Sequence, residues 1–203
     1  MSSAFEEIFR TTNSRRDKFL SRLFGVFSEE VVRYWCREQG AQFDDLGRPT
    51  LFEHGAIRGH TLDFTLRDRA SGRIYVAEMK CELEFESYRY LRLMQPEQIE
   101  HHRGDAFRKF LAVAGNPRGL QVRVGGRPIE VDGIVLIWGA VTEDGRRSAV
   151  DRYGFAEVLS VEAMLEDLRR WRSVGWGHRV TELRSWADHL FDRIAEQPAV
   201  NGP

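Results

Sequence analysis

The chain has 203 residues, 42% of them apolar and 30% charged, and a formal net charge of −1 at pH 7. That length and mixture suit one globular domain with a sizeable core and exclude a disordered or fibrous chain. The near-neutral balance also withholds the strongly basic signature of many nucleic-acid binders, so any grip on phosphate must come from local clusters of arginine.

The longest apolar run, Gly133 to Val141, is nine residues, far below the roughly 20 that span a bilayer. The first residues lack the basic-then-apolar order of a secretory signal. Cys36 and Cys81 sit inside periodic apolar patterns and read as core residues rather than a bridge. A cytoplasmic protein with no membrane partner is the expectation.

In chain order, Leu20, Leu23, Phe24, Phe27, Val31, Val32 and Trp35 recur at helical spacing between Asp17 and Gln39, and Gly40 supplies a stop. Gly25 and Ser28 offer an alternative division into two helices. Residues 48–59 read as a first strand, interrupted at Gly55. Residues 61–85 read as two further strands joined by a turn. Pro96 opens a predicted helix to Ala114. Residues 120–131 form a predicted hairpin around Gly125 and Gly126. The unalternating run from Gly133 suits a strand buried on both faces. Ser160 caps a further helix, and residues 180–197 give a last one, with the tail from Gln197 expected to fray.

The charged strand pair carries the chemistry. In a strand, side chains alternate between faces, so Leu62, Phe64 and Leu66 share one face and Asp63 takes the other. In the next strand Glu78, Lys80 and Glu82 share a face by the same arithmetic. The turn cluster at residues 67–73 is centred between Ala70 and Ser71, so paired residues have numbers summing to 141 and Asp63 stands opposite Glu78. Like charges so placed repel. A divalent cation removes the difficulty: two carboxylates and a backbone carbonyl, that of Met79, offer the hard oxygen ligands Mg²⁺ prefers. Lys80, one pleat along, reaches a metal-bound water or a scissile phosphate. The alternative is the solvated face of an ordinary amphipathic hairpin.

Asp63, fourteen residues, then Glu78-Met79-Lys80 resembles the core motif of the PD-(D/E)XK nuclease superfamily, which includes restriction endonucleases and Holliday-junction resolvases. Leu62 stands where the name-giving proline would be. The resemblance implies an α/β protein with a restriction endonuclease-like core: an α-β-β-β-α-β order in which a central mixed sheet is flanked by helices. It implies metal-binding acids at Asp63 and Glu78, a catalytic lysine at Lys80, Mg²⁺ or Mn²⁺ as cofactor, DNA as partner and a 5′-phosphate product. Upstream, Gly25, Glu29 and Gly40 match the spacing of the first helix of resolvase-type members, making Glu29 a candidate third acid, with Glu30 its rival and a plain helix-dipole role the alternative. The core covers about 17–141 of a single domain spanning 1–203. A helical C-terminal extension, about 158–196, falls outside the resemblance.

Other residues fit the same cleft or an ordinary surface equally. Arg58, His60 and Gln98 are candidate nucleic-acid contacts, Gln95 is a weaker one, and Glu82 is a further ligand or a strand-end charge. Arg89, Arg92, Arg103, Arg108 and Lys109 could line a basic wall. His101 and His102, adjacent on a helix, read as a partly exposed pair. Trp171, Trp176 and Trp186 read as packing residues rather than base-stacking platforms. The expectation is a Mg²⁺-dependent DNA endonuclease. A non-catalytic nucleic-acid-binding or structural module and a ribonuclease are the alternatives, and a homodimer suits the cutting of two strands with one site per chain.

Overall fold

The computed structural model describes residues 3–12, 17–86 and 89–195. A short helix α1 (Ala4–Phe9) precedes α2 (Lys18–Arg37), whose first turn is capped by Asp17: its Oδ1 accepts from the backbone N–H groups of Phe19 and Leu20 at 2.8 and 3.0 Å. α2 runs unbroken through Gly25 and Ser28. Strands β1 (Phe43–Asp45), β2 (Pro49–Phe52), β3 (His60–Thr61), β4 (Phe64–Asp68) and β5 (Ile74–Lys80) follow, then β6 (Arg92–Leu93), a 3-10 helix (Pro96–His101) and α3 (Asp105–Gly115). The rest comprises β7 (Gln121–Val124), β8 (Arg127–Ile129), β9 (Gly133–Trp138), β10 (Ala140–Val141), α4 (Glu143–Tyr153), β11 (Glu157–Ser160), α5 (Val161–Arg170) and α6 (Val174–Ala195).

The central sheet is mixed, in the order β1-β4-β5-β9-β11. β1, β4 and β5 are antiparallel neighbours, whereas β5, β9 and β11 run parallel. α3 makes the crossover from β5 to β9 and α4 the crossover from β9 to β11. A smaller antiparallel sheet, β3-β2-β7-β8, is inserted around it, and β6 pairs with β10.

The β4–β5 register follows the turn reading. Phe64 pairs with Ala77 and Arg67 with Ile74, numbers that sum to 141. Asp68 fixes the turn: its Oδ1 accepts from Ala70 N–H, Ser71 N–H and the Ser71 hydroxyl at 3.1, 2.7 and 2.8 Å.

Two cores lie on the two faces of the sheet. On one, Phe64, Leu66, Ala77, Met79, Val135 and Ile137 pack against α2 and α5. On the other, Val76, Ile134, Leu136 and Trp138 pack against α3 and α4. β9 is buried along its whole length, as its unalternating sequence predicts. Trp35 Nε1 donates to Asp167 Oδ2 at 2.9 Å and ties α2 to α5.

Several expectations are corrected. The strand predicted over 48–59 is only Pro49–Phe52. The helix predicted from Pro96 to Ala114 is divided, because Gly104 takes an extended backbone and caps a new helix at Asp105. The C-terminal part is not purely helical: Glu157–Ser160 adds a fifth strand to the central sheet. Leu62 does not share the face of Phe64. It packs in the opposite core, since the chain changes sheets between them. The tail from Gln197 lies outside the described residues.

Candidate active site

The site forms where β4 begins and β5 ends. Continuing the register would set Leu62 opposite Met79, but Leu62 is drawn into the smaller sheet, where its N–H donates to Pro49 O at 2.9 Å. The Met79 N–H therefore loses a ladder partner, and Asp63 Oδ2 accepts it at 2.9 Å instead. A strand residue points its N–H and C=O to the same side, so the Met79 carbonyl also faces the Asp63 side of β5. Asp63 Oδ1 lies 3.5 Å from Arg48 Nη2.

Glu78 extends from β5 on the face of Val76, toward α3, and is 7% exposed. Lys80 leaves the same face one pleat later, and its Nζ lies 2.6 Å from Glu78 Oε1 and 5.3 Å from the centroid of the Phe107 ring. Among the described residues Glu78 Oε2 is buried without a hydrogen-bond partner of good geometry, although the Asp63 backbone lies close enough to favour the charged carboxylate. Burial pushes the Glu78 carboxyl above its ordinary range; the Lys80 ammonium opposes that shift and the Asp63 charge adds to it. Asp63, Glu78 and Lys80 thus converge at the open end of a central strand, with the lysine side chain 22% exposed.

Glu29 does not join them. α2 packs on the face of Met79, whereas Glu78 and Lys80 emerge on the other face. Glu29 Oε2 accepts from Arg33 Nη2 at 2.6 Å, and Glu30 is held by Arg33 and Arg179 at 3.3 and 2.8 Å. Among the described residues no group of three or more His, Cys, Asp or Glu side chains is placed to hold a metal ion. The acids at this site are therefore a pair.

The remaining candidates are dispersed. Gln98 folds inward: its Oε1 accepts from Met94 and Gln95 N–H and its Nε2 donates to Arg89 and Arg92 carbonyls, which fixes the loop before the 3-10 helix. Arg58 lies in the exposed loop before β3, and His60 pairs with Leu51 across the smaller sheet. The expected basic wall is largely internally paired, with Arg92 on Glu6, Arg108 on Asp105 and Lys109 on Glu53. Glu82 Oε1 stands 3.8 Å from Nδ1 of His102. His101 is exposed and His102 half-buried, its ring edge-on to Phe107 and Trp138.

Sequence reading misses Arg48 beside Asp63 and Phe107 beside Lys80. Both arrive from elements distant in the chain, and neither carries a spacing signal.

Two carboxylates and an ammonium arranged in this way can bind a hard cation and place a proton donor beside it. The oxygens available here to a hard cation such as Mg²⁺ or Mn²⁺ are Glu78 Oε2, the Asp63 carboxylate and the Met79 carbonyl. The chain matches no family model, no curated protein and no solved structure.

Proposed function

We propose that this chain is a metal-dependent phosphodiester hydrolase, a DNA endonuclease of the PD-(D/E)XK type. The observation that carries the reading is the Glu78 carboxylate: one oxygen on Lys80, the other buried beside Asp63 without a well-formed hydrogen bond among the described residues. A structural ion pair has no use for an unsatisfied buried oxygen, which costs about 1–3 kcal/mol, whereas a metal site does. The order of elements supports the same reading, since α2, β1, β4, β5, α3 and β9 follow the helix, three strands, helix, strand sequence of that superfamily's core.

Asp63 and Glu78 would hold Mg²⁺ or Mn²⁺ together with the Met79 carbonyl. The bound ion supplies a more acidic water and offsets charge developing on phosphorus. Asp63 is oriented for this by the Met79 N–H, and Glu78 by the rigid pairing of β5 with the buried β9. Lys80 Nζ donates hydrogen bonds to the attacking water or to a phosphoryl oxygen, and its charge favours the transition state over the ground state. Phe107 limits where the ammonium can travel.

A non-catalytic nucleic-acid-binding module keeping the same fold is the second reading, favoured by the net charge of −1 and the internal pairing of the cleft arginines. Incubating plasmid, branched DNA and RNA with wild type and Lys80→Ala in Mg²⁺ separates the readings. Metal-dependent cleavage lost in the variant supports the enzyme and identifies its substrate. Binding without cleavage in both supports the module.

A further inference from the structure

The largest unexplained surface lies away from the acid pair, on the helical side formed by α1, α2, α5 and α6. Of the twelve large apolar side chains exposed among the described residues, ten lie on α1, α2 or α6. Leu23 and Val26 are 55% and 61% exposed, and Trp186, Phe191 and Ile194 are 64%, 55% and 71% exposed. Leu23, Val26 and Trp186 border a groove of about 810 Å³ between α2 and α6, and Phe191 and Ile194 lie further along α6. The ten together expose on the order of 1,000 Å², beyond the roughly 300–600 Å² patches of ordinary monomers and comparable with the roughly 800 Å² each partner buries in a standard interface. Residues 1–2, 13–16 and 196–203, which flank these helices in sequence, carry only Met1 and Val200 as large apolar side chains.

α6 holds a pattern that its own domain uses only in part. Trp176, Val180, Leu183, Ala187, Leu190 and Ile194 follow alternating steps of four and three, the heptad seam by which one helix packs along another. Only Trp176 is buried, against Phe27 and Tyr34 of α2. The seam continues for almost four further turns, with Val180 and Ile194 exposed and Leu183, Ala187 and Leu190 half-buried. Ala187 is the small residue midway along that part, where two helices can approach closely.

The charge around the groove selects the occupant. Glu30, Glu162 and Glu166 stand with Arg169, Arg179 and Arg184 on its walls. A lipid surface or a nucleic acid would call for a predominantly cationic rim. A rim of both signs, partly paired within the chain through Arg179 with Glu30 and Glu182, suits a second copy of itself, because a two-fold axis can set unlike charges of the two rims against each other.

We infer that this face is a homodimer interface, in which α6 pairs antiparallel with α6 of a second copy and the two α2 helices flank them as a four-helix bundle. The interface is independent of the nuclease reading, since it requires neither metal nor substrate.

Sedimentation of the full chain tests it. Wild type is expected at twice the 23.5 kDa chain mass across the micromolar range, and Ala187→Arg with Leu190→Arg is expected to sediment as a monomer with an unchanged circular dichroism spectrum. Ala187→Cys provides a second route that preserves the apolar seam. Mild oxidation should yield a cross-linked dimer on a non-reducing gel, because Cys36 is buried and Cys81 packs against the core. A monomeric wild type, including one that instead sediments with anionic vesicles, overturns the inference. So does a dimer that persists in the double arginine variant, or the absence of a cross-linked band from Ala187→Cys.

Discussion

Asp63 Oδ2 accepts the Met79 N–H at 2.9 Å, completing a rung of the sheet that no backbone carbonyl supplies. The same carboxylate therefore has a structural duty and a proposed chemical one, and substitution can divide them. Asp63→Asn keeps an acceptor for Met79 and loses the charge. Asp63→Ala leaves the N–H unmet, at a cost of about 1–2 kcal/mol. Denaturant unfolding should place Asn near wild type and Ala below it, while both lose cleavage.

Glu78 makes metal capture sensitive to pH. Its carboxyl is held above the ordinary value of 4.5, chiefly by burial, with the Asp63 charge adding and Lys80 opposing. A raised carboxyl contributes stability that is fully present below 4.5 and is lost as pH rises through the folded value. The metal-free protein should accordingly lose this contribution toward neutral pH, and Glu78→Gln should remove that part of the slope. Mg²⁺ competes with the same proton, so its effect on Tm should be larger at pH 8 than at pH 5. At saturation near 100 times Kd the gain is about 2.7 kcal/mol. Calorimetry with and without Mg²⁺ at both pH values checks each sign.

Glu29 should be dispensable for cleavage. It is bound to Arg33 at 2.6 Å on the helix covering the opposite face. Glu29→Gln is expected to keep kcat/KM within about threefold of wild type, a transition-state difference under about 0.7 kcal/mol. A loss of about 100-fold would restore it to the metal site.

Cys36 is packed between α2 and the sheet, and burial, with Asp45 adding, pushes its thiol from an ordinary 9.0 up to about 12. It should resist alkylation at neutral pH until denaturant is added. The raised thiol contributes stability that is present below 9.0 and lost as pH rises toward about 12. Cys36→Ala should flatten that alkaline decline, as followed by thermal unfolding.

Much of the site was legible because its signals are local. The Asp68 turn set the β4–β5 register, and alternation placed Glu78 and Lys80 on one face. What escaped depends on distant packing. The spacing from Gly25 to Gly40 offers Glu29 as a third acid with Glu30 its rival, but which face of the sheet α2 covers is not written in the helix. Leu62 broke the alternation because it serves the smaller sheet. α4 carries a weak periodic signal, since its apolar stripe is only Ala149, Val150 and Tyr153, although Thr142 caps its start and Gly154, at φ 71°, its end. Gln98 showed the polarity of a ligand contact, yet its amide is spent on four backbone groups.

The central claim is that Asp63, Glu78 and Lys80 act together on a phosphodiester bond. Cleavage of labelled duplex and branched DNA in Mg²⁺, comparing wild type with Lys80→Ala and with chelated metal, tests it most directly. Wild type is expected to cut, chelator to abolish cutting, and Lys80→Ala to lower kcat by about 10²–10³. Equal cutting by wild type and variant, or none by a folded wild type that binds these substrates, would contradict it.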